Sequence, residues 1–432
     1  MPYLLLLLCI LFYFFIIYKR TKKYKYSTFE DYDYNLEKNF LEDIINDSNI
    51  SLQTDIKLYD TLFLKIHLSL NYFSYFSKPY IEIEGIKHYF EYGASGIRYI
   101  NISHITSNSL QLILKNITLK EEKFSLYAYN NTISNNTKIL ILAPHADDAE
   151  IAAFGLYKSS NNITIVTTTA GENGNSHYTD VYNKDKTKQA IKKAHLRVFD
   201  ALCVPFLGDV NIKDCLTLGY YGSSLQSMYE NKDQRAISEV KNITRTNEFR
   251  FVSHSNFDLP LKVDPTYKSF VEDLKTIISK LNPDIIMTPH PEIDSHPDHK
   301  YTTLTAIDAI KSINSNADLM LYTNHLKRSE TYPIGNLHSA ITLPPNKTPF
   351  YFDSIYSFKL EHNLQIDKFF ALESIHDLRD SLIQLSINKS FKHLNKLVKR
   401  KISSKDKSYY KRAVRANELF FIVQNKHLEK LL

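Results

Sequence analysis

Two short stretches of this 432-residue chain gather imidazoles and carboxylates at spacings suited to metal-assisted hydrolysis. The first is Pro144-His145-Ala146-Asp147-Asp148-Ala149-Glu150. The second is Pro289-His290-Pro291-Glu292-Ile293-Asp294-Ser295-His296-Pro297-Asp298-His299. Adjacent carboxylates are costly to ionise side by side unless a cation neutralises one. Asp147-Asp148 is explained if Asp148 binds a metal and Asp147 stays free as a base. His145, Asp148 and one histidine of the second stretch would form a two-His-one-carboxylate set. Three protein ligands leave a position open for water, as catalytic zinc requires and structural zinc does not. His296 and His299 stand i, i+3 at a helix start, so one can ligate while the other faces substrate. Asp298 is a candidate to orient a neighbouring imidazole from behind. Glu150 is expected either to brace the metal loop or to act in it. His290 reads as a turn residue, and His195, at apolar helical spacing between Ile191 and Val198, reads as a core histidine.

The elements around these stretches predict where they sit. Lys138 to Ala143 is a continuous apolar run, as expected of a strand buried on both faces of a parallel sheet. A helical pattern near 149–158, a second buried strand from Ile163 to Thr169 and a helix over 185–202 follow. Asp264-Pro265 predicts a helix N-cap with proline at the first turn. Tyr267, Phe270, Val271, Leu274, Ile277, Ile278 and Leu281 then mark one helix face, ended by Asn282-Pro283. Asp284 to Thr288 reads as another buried strand. Alternation of strands and helices predicts a doubly wound, mostly parallel α/β sheet of Rossmann-like type. Such sheets bind ligands at the carboxyl ends of their strands, here just after Ala143, Thr169 and Thr288.

With the motifs in order along the chain, the sequence resembles the LmbE/PIG-L zinc-dependent de-N-acetylases. H-A-D-D-x-E at 145–150 and H-P-D-H at 296–299 carry the resemblance. Thr169-Ala170-Gly171-Glu172-Asn173-Gly174 is similar to the family's T-x-G-E-x-G loop, which nominates Gly171 and Glu172 as a substrate loop. Phe206-Leu207-Gly208-Asp209, Asp367-Lys368-Phe369-Phe370-Ala371-Leu372 and Asn417-Glu418-Leu419-Phe420 look like later family elements. The Arg/Glu pattern usual in the helix after that loop is poorly kept around Lys186 to His195. The resemblance runs from about 137 to 425, with an insertion near 210–262. It implies His145, Asp148 and His299 as ligands of Zn2+ (Fe2+ can occupy the same set). It also implies Asp147 as general base and His296 as stabiliser of the oxyanion. The implied activity is removal of acetyl from an N-acetylated amino sugar.

Composition removes other readings. With 10 Gly there is no phosphate-cradling G-x-x-x-x-G-K-[ST] or G-x-G-x-x-G loop, and a net charge of +6 is too mild to argue for nucleic acid. Cys9, Cys203 and Cys215 show no paired spacing and read as free thiols. Pro2 to Tyr18 carries no charge and is followed by Lys19, Arg20, Lys22, Lys23 and Lys25. A cleavable signal has its positive charge before the apolar run, so this order predicts an uncleaved single-pass anchor, with the body of the protein on the cytoplasmic side; an uncleaved signal for export is the second reading. We therefore expect an anchor over 1–20, a linker over 21–77, a small β-rich module over 78–134 and a catalytic domain over 135–425. Ten Lys or Arg between Lys389 and Arg412 form either a solvated face or a surface for anionic lipid. The anchor favours a lipid-linked or lipopolysaccharide-type glycoconjugate as substrate. A small soluble N-acetylglucosaminyl conjugate of the bacillithiol-precursor type is the second enzymatic reading. A non-catalytic, membrane-anchored glycan-binding protein is the reading of another class.

Overall fold

A computed structural model of the chain describes residues 2–432 except 23, 37–39, 47, 132, 174–184, 241, 252–254, 256, 330, 347, 379–393 and 395–408. Side chains are not described for 2 and 40–46. The first helix, α1 (Pro2–Thr21), is apolar and exposed; Tyr3–Thr21 has a mean hydropathy of 2.0. Its length and composition suffice to cross a bilayer.

Ten short strands follow: β1 (Phe40–Asn46), β2 (Asn49–Ser51), β3 (Thr61–Ser69), β4 (Tyr80–Ile83), β5 (Ile86–Tyr89), β6 (Gly96–Asn101), β7 (Ser109–Gln111), β8 (Ile113–Lys115), β9 (Thr118–Leu119) and β10 (Lys123–Tyr129). They form one sheet in the order β6-β3-β10-β1-β2-β7, with β9 beside β3, and a small sheet β5-β4-β8. The β-module therefore begins near residue 40, not 78, and the expected linker supplies three of its strands. β3 is the central strand between β10 and β6. Its first four residues are all buried, but Leu64, Ile66 and Leu68 then alternate with the half-buried Lys65, His67 and Ser69, a period-two signal at odds with a linker over 21–77. Tyr32, Tyr34, Phe63, Tyr99 and Tyr127 join the module to the catalytic core. Thr61 Oγ1 accepts the Ser357 amide at 2.8 Å, and Asn101 Nδ2 donates to Ser357 Oγ at 2.8 Å.

The catalytic sheet contains β11 (Lys138–Ala143), β12 (Asn162–Thr169), β13 (Cys215–Tyr220), β14 (Ile285–Pro289), β15 (Asp318–Tyr322), β16 (Ser354–Lys359) and β17 (Asn417–Val423), in the order β13-β12-β11-β14-β15-β17-β16. The first five strands are parallel, and β17 and β16 are antiparallel additions. Its helices are α2 (Asp148–Lys158), α3 (Lys186–Cys203), α4 (Leu225–Glu230), α5 (Tyr267–Leu281), α6 (Pro297–Ile313) and α7 (His362–Ser374). Both faces are covered. Leu140, Leu142, Ile286 and Leu319 pack with α5 and α6, while Ile139, Ile141, Met287 and Met320 pack with α2, α3 and α7. Chain order reverses between β11 and β14, so the crevice at their carboxyl ends is the topological switch point.

Two boundaries differ from the sequence reading. The insertion near 210–262 contains an edge strand, β13, buried at all six residues and therefore without alternation. Helix α5 starts at Tyr267, capped by Thr266, whose Oγ1 accepts the Ser269 amide; Asp264 does not cap it, because the Pro265 carbonyl is taken by Ala236 N. Most of Lys389–Arg412 lies outside the described residues. Arg412, at its end, is buried and donates to the carbonyls of Asn324 and Tyr332, so it belongs to the core and not to a lipid-facing surface.

Lys368 and Glu418, on α7 and β17, form a fully buried pair at 2.7 Å. Glu418 also accepts the Gly155 and Leu156 amides, 2.8 and 2.9 Å away, just beyond the non-helical turn at Ala153 in α2. This is where the two late sequence elements meet. Removing one member of such a pair strands a buried charge, which costs about 3–5 kcal/mol. Glu418→Ala should therefore lower the thermal midpoint strongly, and the double change Lys368→Met with Glu418→Leu, which removes the stranded charge but leaves the Gly155 and Leu156 amides without their acceptor, should recover only part of the loss in a denaturation series.

Candidate metal centre and active site

The first motif is held by a tight exit from β11. The Pro144 carbonyl accepts the Thr169 amide and the hydroxyls of Thr168 and Thr169. The chain then enters α2 at once. Asp148 Oδ2 accepts the His145 amide at 2.8 Å, which fixes both residues. Asp147 is the residue before the helix, yet its side chain makes no capping bond and is left for the site. The second motif enters α6 in a comparable way. His296 is the N-cap, its Nδ1 accepting the Asp298 amide at 3.2 Å, and Pro297 pre-sets the first turn. That turn presents His296 and His299 towards β11.

Three donor atoms converge. His145 Nδ1 lies 3.2 Å from Asp148 Oδ2, His299 Nε2 lies 3.2 Å from the same oxygen, and the two imidazole nitrogens are 3.3 Å apart. Four-coordinate zinc with ligand bonds of ~2.0–2.1 Å separates its ligand atoms by roughly 3.3 Å, so this triangle fits a divalent metal. Each imidazole is backed by a carboxylate. Asp298 Oδ2 is 3.3 Å from His145 Nε2, and Asp294 Oδ2 is 3.2 Å from His299 Nδ1. Burial opposes protonation of His299, but Asp148 and Asp294 hold its pKa well above the ordinary imidazole value. The same excess of negative charge favours a cation at the centre of the triangle. His296 and His325 stand at its edge as further potential donors.

The remaining groups are tuned by burial. Asp147 is raised above the usual carboxylate range by desolvation, which the Arg197 guanidinium opposes from 3.4 Å. Arg197 also pairs with Asp377, itself bonded to His376. Burial, then the neighbouring His145 and His299, lower His296 to about 4. It is thus neutral at pH 7. With Nδ1 accepting from the backbone, the proton of that neutral ring sits on Nε2.

Several expectations are corrected. Glu172 does not face a substrate loop. Its carboxylate is fully buried and accepts the Gly222 amide at 3.1–3.2 Å, and burial raises it to about 7. It braces the segment whose Ser223 and Leu225 amides bond Asp298. Gly171, with φ +64°, is there because a Cβ would meet Arg197 Nε at 2.3 Å. Gly174 lies outside the described residues. Glu150 is buried beneath the metal loop, bonded by Tyr157 and raised to about 8 by burial; it is a brace. His195 is half-buried against the Phe251 ring, not in the core. His290 is fully buried between Phe350 and Phe421.

Three site residues were not anticipated. Arg197 and Asp294 have no motif of their own, although Asp294 sits inside the second cluster. His325 follows β15, and its ring centroid is 5.1 Å from that of His299. Its position at a strand's carboxyl end was the available signal.

The sequence profile of the GlcNAc-PI de-N-acetylases (PIG-L) matches residues 140–310. No curated protein matches the chain significantly. Among solved structures, a zinc-inhibited form of teicoplanin deacetylase is similar at 16% identity over 67% of this chain and 98% of that one, with a TM-score of 0.37. The N,N'-diacetylchitobiose deacetylase of Pyrococcus horikoshii is similar at 18% identity over 67% and 85%, with a TM-score of 0.34.

Elemental analysis should find one divalent metal per chain, lost in His145→Ala, Asp148→Ala and His299→Ala and kept in His325→Ala. Asp294→Asn should weaken binding roughly 10–100-fold, as loss of a ligand's hydrogen-bond partner does. Arg197 favours the ionised form of Asp147 and so lowers its pKa. Arg197→Met should move the acidic limb of the kcat/KM profile to higher pH.

Proposed function

Residues 140–310 belong to the PIG-L de-N-acetylase family, and from that premise we propose that the protein hydrolyses the N-acetyl group of an amino sugar carried on a membrane-associated glycoconjugate. The observation that carries the hydrolytic reading is the His145–Asp148–His299 triangle with Asp147, paired with Arg197, beside it. His145, Asp148 and His299 would hold a divalent metal such as zinc, which would supply Lewis acidity and acidify a water near neutral pH. Asp147 accepts a proton from the attacking water as its oxygen bonds the acetyl carbon. His296 Nε2–H donates a hydrogen bond to the oxygen that becomes negative. The C–N bond then breaks, Asp147 returns the proton to the leaving amine, and acetate departs. His296 is a poor source for that proton, because its imidazolium forms only near pH 4. Arg197 favours the ionised form of Asp147 against its burial and keeps it in place.

Support for a membrane-held substrate comes from the cleft beside the site. It measures ≈810 Å3 and extends from His296 past Lys300 and Tyr301 to Lys327, Arg328 and Tyr26. Its opposing acids are Glu292 and Asp294, and Asp294 is already engaged by His299. The surplus of basic groups suits a glycan bearing an anionic substituent. Tyr26 follows the end of α1 by five residues, and Lys25 N bonds the Arg328 carbonyl at 3.4 Å. Five residues span at most about 18 Å, so the cleft opens close to where the anchor ends. The basic residues after the apolar run orient this side to the cytoplasm.

Purified, metal-loaded protein should release acetate from an N-acetylhexosamine glycolipid, and Asp147→Asn should cut kcat by roughly 10²–10⁴. A preference for a free N-acetylglucosaminyl conjugate over the glycolipid would transfer the activity to soluble substrates. No acetate from either, with Asp147→Asn indistinguishable from the parent, would remove the enzymatic reading.

A further inference from the structure

The β-module displays a second apolar feature beside α1. Asn71 Oδ1 accepts the Phe73 amide and starts a single tight turn, Tyr72–Tyr75. Tyr72 is 68% exposed, Phe73 71% and the following Phe76 43%. Soluble surfaces seldom present contiguous large aromatics without a partner. The turn is also firmly seated. Tyr75 is buried, its ring lying where a Cβ on Gly93 would sit, and Ser74 Oγ accepts the Gly93 amide at 3.1 Å.

The turn is fastened along α1 at two heights. Arg20 donates to the Tyr75 carbonyl and lies 4.4 Å over the Tyr92 ring, while Tyr13 stacks on Phe76 with centroids 5.3 Å apart. The apolar run ends at Tyr18, five residues beyond Tyr13. At 1.5 Å per residue, Tyr13 lies about 7.5 Å inside that boundary along the helix. Phe76 is held at the same height, and Tyr72 and Phe73 project from its turn. If α1 enters a bilayer along its axis, the Phe76 ring enters with it, close to the ~5–10 Å depth at which interfacial segments bury, and the exposed Tyr72 and Phe73 belong to the turn just before it.

We propose that Tyr72, Phe73 and Phe76 form a second membrane contact, inserted at the headgroup–acyl boundary beside α1. The inference rests on the reading of α1 as an anchor. Tyrosine and phenylalanine suit this position because their rings are apolar and the tyrosine tip stays wet. Lys19, Lys22 and Lys25 on the adjoining chain favour anionic headgroups there. Two contacts instead of one hinge would restrain the tilt of the β-module and of the catalytic sheet docked on it. The mouth of the cleft near Tyr26 would then keep a constant height above the lipid.

The chain contains no tryptophan, so a single introduced one reports its own surroundings. Full-length Phe73→Trp and Tyr13→Trp should be reconstituted separately in phosphatidylcholine–phosphatidylglycerol vesicles, with and without brominated acyl chains. Both emissions should shift to the blue and lose most of their intensity to the brominated lipid. Quenching of Tyr13→Trp with Phe73→Trp unquenched would overturn the aromatic contact and leave the anchor standing. A blue-shifted but unquenched Phe73→Trp would mean that protein, such as a second copy, covers the turn, which also overturns it. Absence of quenching in both would remove the anchor and this inference together.

Discussion

The site depends on one electrostatic constraint: Asp148 is buried between two imidazoles, each backed by another carboxylate, and the donor atoms leave a place where a cation would balance that charge. Removing carboxylates from water is expensive, and the cost is offset only where opposite charge and hydrogen bonds are close at hand. The backbone meets part of this demand. His145 N donates to Asp148, Ser223 and Leu225 N donate to Asp298, and Asn324 and His325 N donate to Asp294. Each of these amides lies at the carboxyl end of a strand or just beyond it. The switch point between β11 and β14 is therefore also where the acidic residues can be solvated by peptide groups.

Supports for this arrangement reach well beyond the motifs. Glu418, paired with Lys368, secures α2 behind Asp148 by accepting the amides of Gly155 and Leu156. Glu172 holds the Gly222 amide, next to the residue that bonds Asp298. Asp377 pairs with Arg197, which in turn sits against Asp147. Burial raises Glu150 to about 8 and Glu172 to about 7, which favours their protonated forms and lessens the negative charge around a centre already rich in it. The reactive groups are few, and the residues that set their charge and direction are many.

The β-module gives the catalytic sheet a partner at its β16 edge and a route to α1. Its aromatic face, with Tyr34, Tyr99 and Tyr127, is continuous with the core under β11 and β14. The β-module and the sheet that carries the site therefore share one closely packed interior. A surplus of tyrosine over tryptophan suits such an interface, since several rings find a hydroxyl partner, as Tyr34 does at the Pro344 carbonyl.

Much of this was legible from residue types alone. The apolar α1, the strands β11, β12 and β14, and the two motif clusters are local signals: an unbroken apolar run, a helical period, ligand types at short spacing. The family match over residues 140–310 agrees with them. Strand β13 escaped because full burial erases alternation, whereas β3 carried a short alternation from Leu64 to Ser69 that was legible; Thr266 displaced Asp264 as cap, with the Pro265 carbonyl taken by a neighbouring loop. Which carboxylates back which imidazoles, that Arg197 reaches Asp147, that His325 joins the site and that Glu172 turns away from it were decided only by tertiary structure. These relations join residues from different strands and helices, often far apart in sequence, and no local pattern encodes a distance that folding alone creates.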